Sequence, residues 1–167
     1  MNLDNLLWLL PTLFIIHDFE EILLIKSWKR KNQDLFHTPI GFKPYEGFLS
    51  TESFSAAVLE ELLIFIGVVV YSLYTYNYLV WIGTFFALLI HFVPHILFCI
   101  RAKRFVPGAL TAIIMLPFSI QILIKVIQVR DYQLIEIILS CLLCVTLFII
   151  NLKFLHRLFP KLNQWLS

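Results

Sequence analysis

The sequence predicts an all-α protein, a polytopic transmembrane helix bundle with five spans. The first observation behind this is composition. Of 167 residues, 60% are hydrophobic and 14% charged, with a mean hydropathy of +0.86. Soluble domains are about 45–50% apolar and about 25% charged. The second is length: five segments reach the ~20 mostly apolar residues that a bilayer-crossing helix needs. The third is the clustering of basic residues in alternate connections, which an odd number of spans places on one side.

The first span runs from about Asn5 to Trp28, and the second from about Ser53 to Tyr74. Between them lies the longest connection, Lys26 to Thr51, polar and broken by Gly41, Pro44 and Gly47. The third span runs from about Tyr78 to Ile100, after a tight link whose tyrosines suit an interfacial aromatic belt. Arg101-Ala-Lys-Arg104 separates it from the fourth, which runs from Pro107 to about Val129. Pro107 fits the first turn of a helix, where its missing N–H is no loss. Val129-Arg-Asp-Tyr132 precedes the fifth span, which ends near Leu155.

These spans fill the chain, so one helical domain, 1–167, is expected, with no separate soluble module. The N-terminus carries Asp4 and lacks a basic region and a small-residue cleavage site, which argues against a cleavable signal. The net charge of +2 is small and sits at helix ends, so nucleic acid is not an implied partner. Membrane lipids are, and oligomerisation is left open. Cys99, Cys141 and Cys144 lie in apolar runs. The aliphatic flanks of Cys141-Leu-Leu-Cys144 favour packing over zinc or redox chemistry.

The positive-inside rule orients the bundle. Lys26, Lys29, Arg30, Lys31 and Lys43 lie in the first connection, Arg101, Lys103 and Arg104 in the third, and Lys153, Arg157 and Lys161 in the C-terminal tail. The opposite side has only Lys125 and Arg130 near a short link. The expected localisation is integral to the membrane (the cell membrane in a bacterium), with the N-terminus outside and the C-terminus cytoplasmic.

Within the spans the ionisable residues are sharply grouped. Span one holds His17, Asp18, Glu20 and Glu21, span two Glu60 and Glu61, and span three His91 and His95. Each charged group at a bilayer centre costs about 2.5–3.5 kcal/mol on insertion scales, so such a group needs a reason. At ~1.5 Å per residue from the cytoplasmic ends, His17 and His91 lie ~14–17 Å deep, and Glu20, Glu21, Glu60, Glu61 and His95 ~8–13 Å deep. Three helices thus bring their polar groups to one level. His17, Glu20 and Glu21 share an arc about 100° wide, with Asp18 just beyond it. His91 and His95 stack one turn apart. Pro94 between them disturbs the local ladder. Of the adjacent pair Glu60 and Glu61, Glu60 is favoured to point inward. Glu52, Glu61 and Asp18 are readable as capping or snorkelling groups, and His37 as a solvated loop residue.

No Lys or Arg lies at this depth, so the carboxylates must protonate or recruit a cation. Carboxylates with neutral imidazoles form a mixed N/O set suited to Zn, Fe or Mn. The expected metal ligands are His17, Glu20, Glu21, Glu60, His91 and His95, holding one or two ions, as in carboxylate–histidine sites of helix bundles. Glu20 and Glu60 are the candidate catalytic carboxylates, one of them serving as general base if it stays outside the metal's shell. A second feature is the basic stretch before Thr111. Free N–H groups at the start of span four would favour an anion, and the alternative is that Arg101, Lys103 and Arg104 only hold topology.

His17-Asp-Phe-Glu20-Glu21, with His91, His95 and Phe105-Val-Pro107-Gly108-Ala-Leu-Thr111 after it, resembles the HXXEE domain family of small integral membrane proteins. The resemblance covers nearly the whole chain. It implies a similar size and span number and no stated reaction.

The functional expectation is a metal-dependent membrane enzyme, a hydrolase or oxygenase acting on a lipid or other apolar substrate. A proton- or metal-coupled small transporter would use the same residue types. A non-catalytic membrane scaffold would use them only to lock helix packing.

Overall fold

The computed structural model describes residues 3–37 and 45–166. Gly41, Lys43 and Pro44 of the first connection lie outside the described residues. The described residues are mostly helical, with no strand among them: α1 (Leu3–Leu7), α2 (Leu9–Lys31), a 3₁₀ turn (Gln33–His37), α3 (Thr51–Thr75), α4 (Leu79–Ala102), α5 (Ala109–Ile127) and α6 (Leu134–Leu166). Helices α3, α4, α5 and α6 are long and apolar enough to cross a membrane. α2 has the length, but its clustered ionisable groups and basic last turn keep it out of that class.

The expected boundaries agree with α3, α4 and α5 to within a turn. The first span differs, because the helix breaks at Trp8. Pro11 has no N–H to give to the Leu7 carbonyl one turn back. That carbonyl instead accepts from the Trp81 indole at 2.9 Å, which ties the break to the centre of the bundle. The last helix also differs, running past Leu155 to Leu166. Its polar end looked like a tail in the sequence, yet Leu155 and Phe159 are buried against Ala57 of α3.

α4 is the central helix, packing most extensively against α6 and α5. Trp81, Ile82, Phe85, Leu88 and Phe92 are almost fully enclosed. Small residues set its approach to α6, as membrane helices require when apolar burial gives no net drive. At Gly83 a Cβ would stand 2.6 Å from the Ser140 carbonyl and 2.7 Å from Cys144 Sγ. Ser140 Oγ donates to the Leu79 carbonyl at 2.6 Å. The cysteines are free, and Cys144 serves this contact.

One end of the bundle is tied together around the connections. Trp28 Nε1 donates to the Phe105 carbonyl. Arg104 donates to Asn32 and pairs with Asp34 at 2.8 Å. Lys29 Nζ donates to the Tyr45 and Phe48 carbonyls at 3.1 and 3.0 Å. The end of α2 therefore holds both the α4–α5 turn and residues 45–48. At the other end Tyr132 accepts from the Tyr78 backbone N–H, and Tyr74 and Tyr76 are exposed.

Candidate metal centre

His17 and Glu21 stand one turn apart on α2, and His91 and His95 one turn apart on α4. That spacing stacks each pair on one helix face. The two faces meet, and one ligand atom from each of the four residues lies within 4.8 Å of the others. Glu21 Oε1 is 3.4 Å from His17 Nε2 and 3.1 Å from His95 Nε2. His91 Nε2 is 3.3 Å from His95 Nε2. Metal bonds of about 2.0–2.2 Å place neighbouring tetrahedral ligands about 3.3–3.6 Å apart, which these spacings approach.

Bonds behind the rings set the proton positions. The Thr111 hydroxyl gives its hydrogen to Glu20 Oε2 at 2.6 Å. It therefore accepts from His17 Nδ1, 2.8 Å away. Tyr45 donates its phenol hydrogen to the Pro107 carbonyl at 2.8 Å. His95 Nδ1 lies 3.2 Å from that same carbonyl and 3.2 Å from the Tyr45 hydroxyl; with the phenol hydrogen given to Pro107 both neighbours accept, which favours a proton on His95 Nδ1. Both Nε2 atoms are then bare. Two lone-pair nitrogens face one carboxylate oxygen, all buried, and neither His17 Nε2 nor Glu21 Oε1 has a hydrogen-bond partner among the described residues. Acceptor facing acceptor is unfavourable without a cation or proton between them. This donor set fits a metal ion.

Gly108, at the start of α5, closes the cluster. Its φ of +80° suits glycine. A Cβ there would stand 2.7 Å from Glu21 Oε1, 2.8 Å from His95 Nδ1 and 3.0 Å from His17 Cε1. Phe92 lies against the His17 ring at 4.7 Å, and Phe148 meets the His91 ring at 5.7 Å. A cavity of about 260 Å³ lies beside the cluster, where Asp18, Glu61 and Tyr45 join Glu21, His91 and His95.

The profile of the family described as "Protein of unknown function with HXXEE motif" matches residues 8–122. The chain belongs to the HXXEE family. The family's motif is therefore His17-Asp-Phe-Glu20-Glu21, and its first and last residues stand in the cluster. No curated protein and no solved structure matches the chain.

The structure separates the six expected ligands. His17, Glu21, His91 and His95 converge. Glu20 of the HXXEE motif instead accepts from the Thr111 N–H at 2.8 Å and from the Thr111 hydroxyl, capping α5. The same bonds occupy the helix N-terminus that one of the two sequence readings offered to an anion, and Arg104 is engaged with Asp34. Glu60 accepts from Asn151 of α6 at 3.0 Å. Its neighbour Glu61 is the buried one, on a stripe with Ala57, Phe65 and Val69, and it lines the cavity. Tyr45 was not foreseen: its connection reads only as polar, and Lys29 holding its carbonyl is a tertiary contact.

Proposed function

We propose that this HXXEE protein is a metal-dependent membrane enzyme, of the hydrolase or oxygenase class, acting on a lipid or other apolar substrate. The observation that carries the reading is the cluster of bare His17 and His95 Nε2 atoms against the Glu21 carboxylate, with His91 beside them. These four residues would hold one divalent transition metal such as Zn, Fe or Mn. When bound, such an ion supplies Lewis acidity toward a substrate oxygen. Thr111 and the Pro107 carbonyl keep the two rings aimed, as outer hydrogen bonds do in metal sites. Glu61 lines the adjoining cavity and stands outside the four, which supports a general-base role for it. Asp18 lines the same cavity and adds a second buried carboxyl to its wall. Glu20 serves by positioning Thr111.

On this reading α2 crosses the membrane as the fifth span, N-terminus outside. The basic ends of α2, α4 and α6 support it, since the Trp28–Phe105 and Arg104–Asp34 contacts gather the first two at one end. A fluorescent C-terminal fusion, with an inactive alkaline phosphatase fusion at the same place, tests that orientation.

Elemental analysis of the purified full chain tests the centre. Near-stoichiometric transition metal is expected, lost in the His17→Ala/His91→Ala double variant. A chain without metal after purification and reconstitution with Zn, Fe or Mn would overturn the reading.

A further inference from the structure

A second cavity, of about 500 Å³, lies between α3, α4 and α6. That is within the range of about 300–1,000 Å³ typical of small-molecule sites. Phe65, Val68, Leu147 and Phe148 are among its walls. Ile64, Leu147 and Ile150 are exposed, so it opens sideways on the apolar belt rather than at a polar end. Thr84 and Cys144, also in the wall, already donate to the Val80 carbonyl. Its free polarity is confined to the end where Glu61 and Asn151 stand. Glu61 also lines the cavity beside the four-residue cluster, so the two cavities share one carboxylate.

The shared end is acidic. Asp18 Oδ2 and Glu61 Oε1 are buried, each without a hydrogen-bond partner among the described residues. Both residues are more than nine-tenths enclosed and line the cavity. None of the described lining residues of either cavity is Lys or Arg. Two buried carboxyl oxygens without donors, in walls without Lys or Arg among the described residues, suit a donating or cationic head and offer an anionic head no counter-charge.

We infer that the substrate is a single-chain amphiphile with a hydrogen-bond-donating or cationic head, a long-chain amine or alcohol. It enters sideways from the lipid between α3 and α6, with its chain along Val68 and Leu147 and its head at Asp18 and Glu61. This rests on the reading of the cluster as the centre of a metal-dependent enzyme, in its oxygenase form since a primary amine or alcohol has no bond to hydrolyse, and names that enzyme's substrate class.

Photolabelling of the full chain in lipid nanodiscs with a diazirine-bearing long-chain amine, followed by peptide mapping, tests it. Labels are expected at α3 and α6 residues of the 500 Å³ cavity. Dodecylamine and dodecanol should compete, and dodecanoic acid should be weaker by roughly tenfold. Val68→Trp, which fills the cavity, should abolish the labels while metal content stays at the wild-type level. Glu61→Gln, a near-isosteric change, should narrow the amine-over-acid preference with the chain still bound. Labels spread evenly over the lipid-facing surface, labels insensitive to Val68→Trp in a folded variant, or equal competition by the fatty acid would overturn the inference. Metal is measured on the same samples. Specific chain binding without metal defeats the metal reading alone, and metal without specific labelling defeats this inference alone.

Discussion

Gly108 is packed so closely on Glu21 that a methyl group added to it would stand 2.7 Å from the carboxylate oxygen facing the histidines. The backbone there also has φ +80°, a region costing a non-glycine residue about 1–2 kcal/mol. Gly108→Ala should therefore strain the start of α5 and push Glu21 out of line together. Metal content should fall by about tenfold or more, as when a site's supporting geometry is lost. Elemental analysis with a thermal unfolding curve in detergent checks both effects. Wild-type metal content would show that Gly108 is not a wall of the site.

Thr111 holds His17 by accepting from its Nδ1, and it can do so because Glu20 takes the hydroxyl hydrogen. Thr111→Val keeps the shape and removes both bonds. The His17 ring is then free to turn or to move its proton to Nε2, which blocks it as a ligand. Metal affinity should drop about 10–100-fold, the usual cost of losing an outer hydrogen bond. Thr111→Ser should restore most of it, a rescue that a purely packing role of the threonine methyl would not give. Competition with a chelator of known affinity measures the difference.

Much of this was legible in the residues. Apolar run lengths located α3, α4 and α5, because membrane helices need an uninterrupted stretch. The i,i+4 spacing of His91 and His95 and the mid-helix His17 and Glu21 located the cluster, because such groups are costly in lipid unless they meet. Glu60 against Glu61 was not legible. α3 is apolar on every side, so no stripe marks its inward face, and only its packing sets the phase that buries Glu61. Glu20 is likewise on the right arc of α2 and at the right depth. The start of α5 claims it, a contact 91 residues away that no local pattern encodes.

Asp34 and Arg104 join the end of α2 to the α4–α5 turn, and the Arg104 hydrogen bond holds the Asp34 carboxyl below its ordinary range. A folded-state value below the unfolded one means that the pair stabilises above about pH 4, the ordinary carboxylate value. The contribution fades as pH falls through the lower folded-state value. Protection against hydrogen exchange in residues 33–37, relative to the intrinsic exchange rate at each pH, should therefore fall on acidification in the wild type. Asp34→Asn should exchange faster already at neutral pH and show less further change. Both partners are about half exposed, so high salt should mimic part of the acid effect. Identical pH profiles for the two proteins would rule the pair out as the anchor.

Gly83 and Gly67 make opposite predictions from the same substitution. A Cβ at Gly83 meets the Ser140 backbone carbonyl at 2.6 Å, and backbone has little room to yield. Gly83→Ala should force α4 and α6 apart and destabilise the bundle by about 1–3 kcal/mol, as overpacking does. At Gly67, in the middle of α3, nothing lies within 4 Å of the added carbon. Gly67→Ala should be neutral or stabilising by about 0.5–1 kcal/mol, since alanine is the better helix former. Unfolding by a denaturing detergent measures the two side by side. Equal effects would mean that helix propensity, rather than the α4–α6 contact, decides both. Gly83 precedes His91 by two helical turns, about 12 Å along α4, so metal content in Gly83→Ala protein that remains folded should stay near wild type.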